Sequence, residues 1–358
     1  GLPVPSTRTS EATRIYIRNW PNYTWTISGG GSTDRCGFYT ESGESYQTYK
    51  GINLENLDNS GTGSNGSAIF YRYGDSTDIN TEQCTATNIN GGSNNGFFMP
   101  WGVNGAKSWR CTVDGVRMNG DATNENTAGV DVYRASNLSV QRLTVRNAAM
   151  GAKQKSPGTA GEGGMSVRFC IFRATDGLSI GVGFGGATNG VNGFEDSIVQ
   201  SNVFHLQRGI YDNVDASISA ASIGQHWSNN VFYDCGYGEI GALDIRQMRD
   251  VISYNNIHVN SRITIKEQYD LSGQEFRYVD YDQAYGTTWS FMYFNGVGQS
   301  VAQMQAATTF CDNTAEDNPN FIDLVAYKPQ AASSLTGGVS GTERGVYLTG
   351  AEVLGAAA

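Results

Sequence analysis

Charge is scarce in this chain: only 16% of its 358 residues are Asp, Glu, Lys or Arg. What charge there is leans acidic, with a formal net of −10. No basic stripe stands out that could displace counterions from phosphates, which argues against nucleic acid as a partner. Apolar runs are short, and none approaches the ~20 residues of a membrane span. The six cysteines, at 36, 84, 111, 170, 235 and 311, include no C-x-x-C pair, so a zinc or thioredoxin-like reading has no support. The three histidines, His205, His226 and His258, have no metal-ligand spacing and are expected to be structural or solvent-facing. No secretory leader is visible, and residues 1–12 read as a leader or linker.

Small and polar turn-formers fill the space that charge leaves. Gly reaches 46, Asn, Ser and Thr are abundant, and 39% of residues are still hydrophobic. Such a chain has enough apolar mass for a core and reads as all-β with many tight turns. Two columns recur along it. The first runs through Cys84, Cys111, Leu143, Cys170, Asn202, Asn230 and Asn256, at intervals of 27, 32, 27, 32, 28 and 26 residues. The second runs Gly37-Phe38, Ala68-Ile69, Gly96-Phe97, Gly129-Val130, Gly151-Ala152, Gly177-Leu178, Gly209-Ile210 and Gly241-Ala242. A small residue opens a strand at a corner, an apolar residue points inward, and the next points outward. Repeats of this length predict stacked coils that bury one continuous core. Cys84, Cys111 and Cys170 then form an interior stack of free thiols, followed by an asparagine ladder of Asn202, Asn230 and Asn256. The state of Cys36, Cys235 and Cys311 is left open.

The segments SIVQSNVFHLQRGIYDN, HWSNNVFYDCGYGEIGALDI and DVISYNNIHVNS resemble repeats of the right-handed parallel β-helix superfamily. That superfamily includes pectate, alginate and chondroitin lyases, polygalacturonases and phage tailspikes. The segment EDNPNFIDLVAYKPQAASSLTGG is similar to a C-terminal stretch common in the group, with Asn318 in place of the usual Asp. The resemblance covers roughly residues 13 to 345. It implies a single-stranded right-handed parallel β-helix of about 9–10 coils with an irregular C-terminal cap. Coils are expected over 13–269. Residues 270–358 would hold an aromatic-rich loop, the last coil and the cap, with a short helix at Ser300 to Thr308. No amphipathic helix caps the open first coil, so an oligomer such as a trimer, or a larger assembly, is expected to cover it.

Outward positions after the second column define a candidate face. The first row reads Tyr39, Phe70, Phe98, Asp131, Lys153, Ser179, Tyr211 and Leu243. The second includes Arg72, Pro100, Tyr133, Lys155 and Lys266. Aromatic rings stack on sugars, and Lys and Arg bind carboxylates or sulfates. Tyr39, Phe70, Arg72, Phe98, Asp131, Tyr133 and Lys266 are therefore the expected substrate-binding set. A lyase needs a cation to neutralise the uronate carboxylate, a base for the C5 proton and an acid for the leaving oxygen. Lys153, Lys155 and Tyr211 are the catalytic candidates, with Tyr133 as another acid. No cofactor is required, but Asp131, Asp212 and Asp244 could hold a Ca²⁺. A hydrolase would need two carboxylates, for which Asp212, Asp215, Asp244 and Glu239 are available without an Asp-Asp pair.

The glycine-rich runs Gly177 to Gly181 and Gly181 to Gly186 match a nucleophile elbow and a phosphate loop. Both lack the surrounding strand–helix context and read as coil corners. Two functions stay open. One is an extracellular protein that engages a polysaccharide on its lateral face and cleaves it as a lyase. The other is a non-catalytic spike, fibre, decoration or cell-surface appendage that uses the β-helix as a rod.

Overall fold

The computed structural model describes residues 14–18, 26–29, 36–40, 45–58, 66–71, 76–91, 95–118, 120–121, 126–133, 135–155, 164–173, 180–185, 196–205, 208–213, 222–235, 243–245, 248–249, 251–265, 276–286, 291–294, 297–307, 311–321, 329, 331–346 and 354–356. Three long sheets of ten, ten and eleven strands account for most of them. Each coil gives one strand to each sheet, and neighbouring strands within a sheet come from successive coils. A first coil, for example, supplies Ile15–Arg18 to the first sheet, Thr26–Ser28 to the second and Cys36–Thr40 to the third. All pairings in these sheets are parallel until the last, where Met292–Phe294 meets Val297–Gln299 antiparallel. The protein is a single-stranded parallel β-helix.

The corner between the first and second sheets is one residue long. Gln83, Arg110, Arg142, Phe169, Ser201, Asn229, Asn255 and Tyr281 all take φ between 50 and 58 there. Left-handed backbone costs a residue with a Cβ roughly 1 kcal/mol. The cost is offset because the amides of Gln83, Arg110, Arg142, Phe169, Ser201 and Asn229 are paired to the next coil, as in Gln83 N to Trp109 O at 2.9 Å and Arg110 N to Gln141 O at 3.0 Å. The next residue then points into the core, and this is the first sequence column.

Cys84, Cys111 and Cys170 are buried free thiols, as are Cys235 and Cys311; the Cys36 side chain lies outside the described set. The asparagine ladder is present. Asn230 Oδ1 accepts from Asn202 N at 3.0 Å, and Asn256 Oδ1 accepts from Asn230 N at 2.9 Å. It runs further than the sequence column. Asp282 Oδ1 accepts from Asn256 N at 2.7 Å, and Asn202 Oδ1 accepts from Cys170 N at 2.9 Å. A second interior ladder is aromatic. Phe172, Phe204, Phe232 and His258 stack with centroid spacings of 5.3, 4.9 and 4.9 Å. His258 is fully buried, beside Asp282 at 3.4 Å.

The third-sheet register corrects the second column. Its inward line runs Phe38, Ile69, Phe98, Val130, Ala152, Val182, Ile210 and Leu243. Phe98 is therefore fully buried in the core and is not a sugar-stacking residue; Phe97 is buried as well. The reason is a corner where two consecutive residues face inward. Phe97 takes the first place, and Gly129, Gly151 and Gly181 take it in later coils. A Cβ on Gly151 would sit 2.1 Å from Phe172, and one on Gly181 2.2 Å from Phe204. The same register replaces Gly177-Leu178 by Gly181-Val182 and Ala242 by Leu243. Gly181 through Gly185 lies inside a strand, not at the corner expected for the phosphate-loop match.

Coils continue past 269, through Phe276–Asp280, Gln283–Tyr285 and Met292–Phe294. The short helix is Val301–Ala307, and a second, Ala332–Thr336, follows. The chain then doubles back along the outside of the second sheet. Gly345 N donates to Asn255 O at 2.7 Å, and Gly355 N to Phe169 O at 2.8 Å. Val346 and Leu354 pack with Val203, Val231, Ile257 and Ile171. No helix among the described residues is long and apolar enough to cross a membrane.

Candidate functional site

On the outer side of the third sheet, the register aligns Asp131 with Lys153, and Tyr133 with Lys155. Lys153 and Lys155 are followed in the next coil by Gly183 and Gly185, and these by Tyr211 and Asn213. The face is layered. Asp131 and Lys153 form its floor, at 2% and 4% exposure. Lys153 Nζ donates to Asn126 Oδ1 at 3.5 Å. Burial pushes the Asp131 carboxyl above its usual range, and the charges of Lys153 and Lys155 pull it back.

Two residues further along the same strands lies a half-exposed ledge. Lys155 Nζ sits 5.9 Å from the centroid of the Tyr133 ring. Trp101 lies 4.4 Å from the same ring at 49° and bridges to the Tyr133 strand. Sequence reasoning missed Trp101, because the one-residue slip at Phe98 put Pro100 in the row instead. The signal was the tryptophan itself, two residues after the outward Met99.

Tyr211 stands apart from the lysines. It is two strands from Lys153, about 10 Å at the usual strand spacing. Gly183 lies between them, and Met150 covers it: a Cβ there would meet the Met150 sulfur at 2.7 Å. Tyr211 is 4% exposed and packs with Ala128, Met150 and Ile180. The Arg208 guanidinium covers its ring at 4.3 Å.

The other expected residues scatter. Tyr39, Phe70 and Asp244 belong to the outward row by backbone register, though their side chains lie outside the described set. Arg72, Lys266, Asp215 and Glu239 lie outside the described residues. Asp212 aligns with the buried Phe184, in the inward line rather than the row of Asp131. Asp131 and Asp244 are four strand steps apart, about 19 Å, so the register does not gather the three carboxylates around one ion. No group of three or more potential metal ligands occurs among the described residues. His205 and His226 lie on the outer faces of the second and first sheets, and His226 Nε2 is 3.0 Å from the Tyr254 hydroxyl.

No family model and no curated protein matches this chain. Among solved structures it is similar to a PL6 family polysaccharide lyase from Pseudopedobacter saltans. The two share 13% identity over 90% of this chain and 86% of that one, with a TM-score of 0.49.

Proposed function

We propose that this is an extracellular protein that lays an acidic polysaccharide along the outer face of the third sheet and cleaves it by β-elimination. The observation that carries the reading is the ledge of Trp101, Tyr133 and Lys155 beside the buried Asp131 and Lys153 on the same face. The two rings offer apolar faces to sugar CH surfaces. Lys153 supplies positive charge towards a uronate carboxylate, with Asp131 opposite it on the neighbouring strand. Lys155 takes the C5 proton. The electron pair left behind forms the C4–C5 double bond, and the glycosidic oxygen leaves C4 with a proton from Tyr133. Tyr133 suits the acid role better than Tyr211, because it adjoins Lys155 and is half-exposed while Tyr211 is closed in by Met150, Ile180 and Arg208.

The test is incubation with polyuronates and neutral glycans, following chain length by size exclusion and unsaturated ends by ultraviolet absorbance. Shortening with new absorbance is expected on a polyuronate, falling at least about a hundredfold in Lys155→Ala, the scale of a lost general base. Shortening without absorbance would replace elimination by hydrolysis.

The rod reading has its own support. Lys153 and Tyr211, two of the three catalytic candidates, are almost wholly buried. Intact chains on every polyuronate, with binding that survives Lys155→Ala, would favour it.

A further inference from the structure

We infer that the outer face of the second sheet carries a separate anion-binding stripe for a linear acidic polysaccharide, made by Arg146, Arg173 and His205. This goes beyond the third-sheet reading and does not rest on it. The three residues are consecutive in register, Arg146 opposite Arg173 and Arg173 opposite His205. They place cationic or hydrogen-bonding heads at successive strand steps over about 10 Å along the coil axis. Arg146 is exposed, and Arg173 and His205 are half-exposed.

Like charges directly opposite one another on neighbouring strands destabilise a sheet. A chain with net charge −10 has no general surplus of arginine to scatter, yet it stacks two here. A polyanion with charges repeated along its length would bring counter-charge to both guanidiniums. Among the described residues, two acids flank the ends of the stripe. Asp114 is opposite Arg146 on the preceding strand and accepts from Asn147 Nδ2 at 2.6 Å. Asp234 is 3.9 Å from His205 and accepts from Asn260 Nδ2 at 2.7 Å.

One further feature selects a sugar chain. The Tyr233 ring meets the His205 ring edge-on at 5.4 Å and continues the stripe with an aromatic surface. The tail's described residues flank the row at both ends: Gly355 sits over Thr144 and Ile171, and Gly345 over Val231 and Ile257, each two residues before the stripe's row.

Affinity electrophoresis of the full chain tests this, in gels containing a polyuronate or a neutral glucan. The proteins are the native chain, Arg146→Gln, Arg146→Gln/Arg173→Gln and Lys153→Ala/Lys155→Ala. Retention by polyuronate should fall about five-fold in the double arginine variant, the scale of two exposed charge contacts, and the loss should shrink at high salt. Migration in neutral glucan should not change. The lysine variant should keep the arginine-dependent part of retention, so failure of one site is distinguishable from failure of the other. If Arg173→Gln disturbs folding, the exposed Arg146→Gln alone, checked by circular dichroism, carries the test. Native retention in both arginine variants overturns the proposal. So does a protein held by polyphosphate and not by polyuronate, which would make the stripe a phosphate site.

Discussion

At the residue scale, two buried acids carry different burdens. Asp131 is held above the usual carboxylate range by burial, against the pull of Lys153 and Lys155. The folded chain therefore binds that proton more tightly than the unfolded chain does. The stability contributed by this group is full below the ordinary aspartate range and declines as pH rises through the raised value. Asp131→Asn lacks the decline. In urea titrations across acidic pH, its stability relative to the native protein should improve through that window and then level off. A flat difference would show that Asp131 does not titrate abnormally. Asp282 ends the asparagine ladder, accepting from both the amide and the side chain of Asn256. Asp282→Asn keeps an acceptor there, whereas Asp282→Ala leaves a buried donor unpaired. The alanine variant should lose about 2–3 kcal/mol more than the asparagine variant in the same titrations.

At the element scale, the glycine corner of the third sheet and the phenylalanine stack behind it occupy one volume. Gly151→Ala would drive a methyl into Phe172 and into the Gly181 carbonyl, at 2.1 and 2.5 Å. Overpacking of this kind costs about 1–3 kcal/mol. Gly151→Ala/Phe172→Leu should recover part of the loss in thermal unfolding, and only part, because the carbonyl stays in place. No recovery would mean that the backbone contact dominates. This corner also marks where sequence reading stops. The Cys–Asn column was legible because each coil has one inward residue after a one-residue turn. Asn202, Asn230 and Asn256 fell into line with no structural help. The third-sheet column was legible at Val130, Ala152 and Ile210, and so placed Asp131, Lys153, Tyr133 and Lys155 correctly on one face. It failed at Phe98, where two bulky neighbours face inward together. There Phe97 and Phe98 look interchangeable, and a one-residue slip moved Phe98 outward and hid Trp101. The depth of Lys153 and Tyr211 was not legible at all, since it depends on what covers the sheet.

At the scale of the whole molecule, a solenoid is held together by contacts between neighbouring coils and is open to unzipping from either end. The returning tail changes that. Thr342 and Gly345 bond to Asn255, Glu343 O accepts from Asn229 Nδ2, Gly355 bonds to Phe169, and Ala356 N donates to Thr144 Oγ1. These contacts tie coils that do not touch one another, from the one holding Thr144 to the one holding Ile257. The seam beneath is apolar: Val203, Val231 and Ile257 are buried against Val346. Val346→Asp places a charge in that seam and should cost about 2–3 kcal/mol, combining lost apolar burial with an unpaired carboxylate. The more telling result is the shape of the transition. If the tail couples the coils, detaching it lets the last coils melt ahead of the rest. Thermal unfolding should then broaden or split, and limited proteolysis should begin beyond residue 330 before the coils between Thr144 and Ile257 are cut. A single transition as sharp as the native one, merely lowered, would make the tail a passive cover and leave cooperativity to the asparagine and phenylalanine ladders inside.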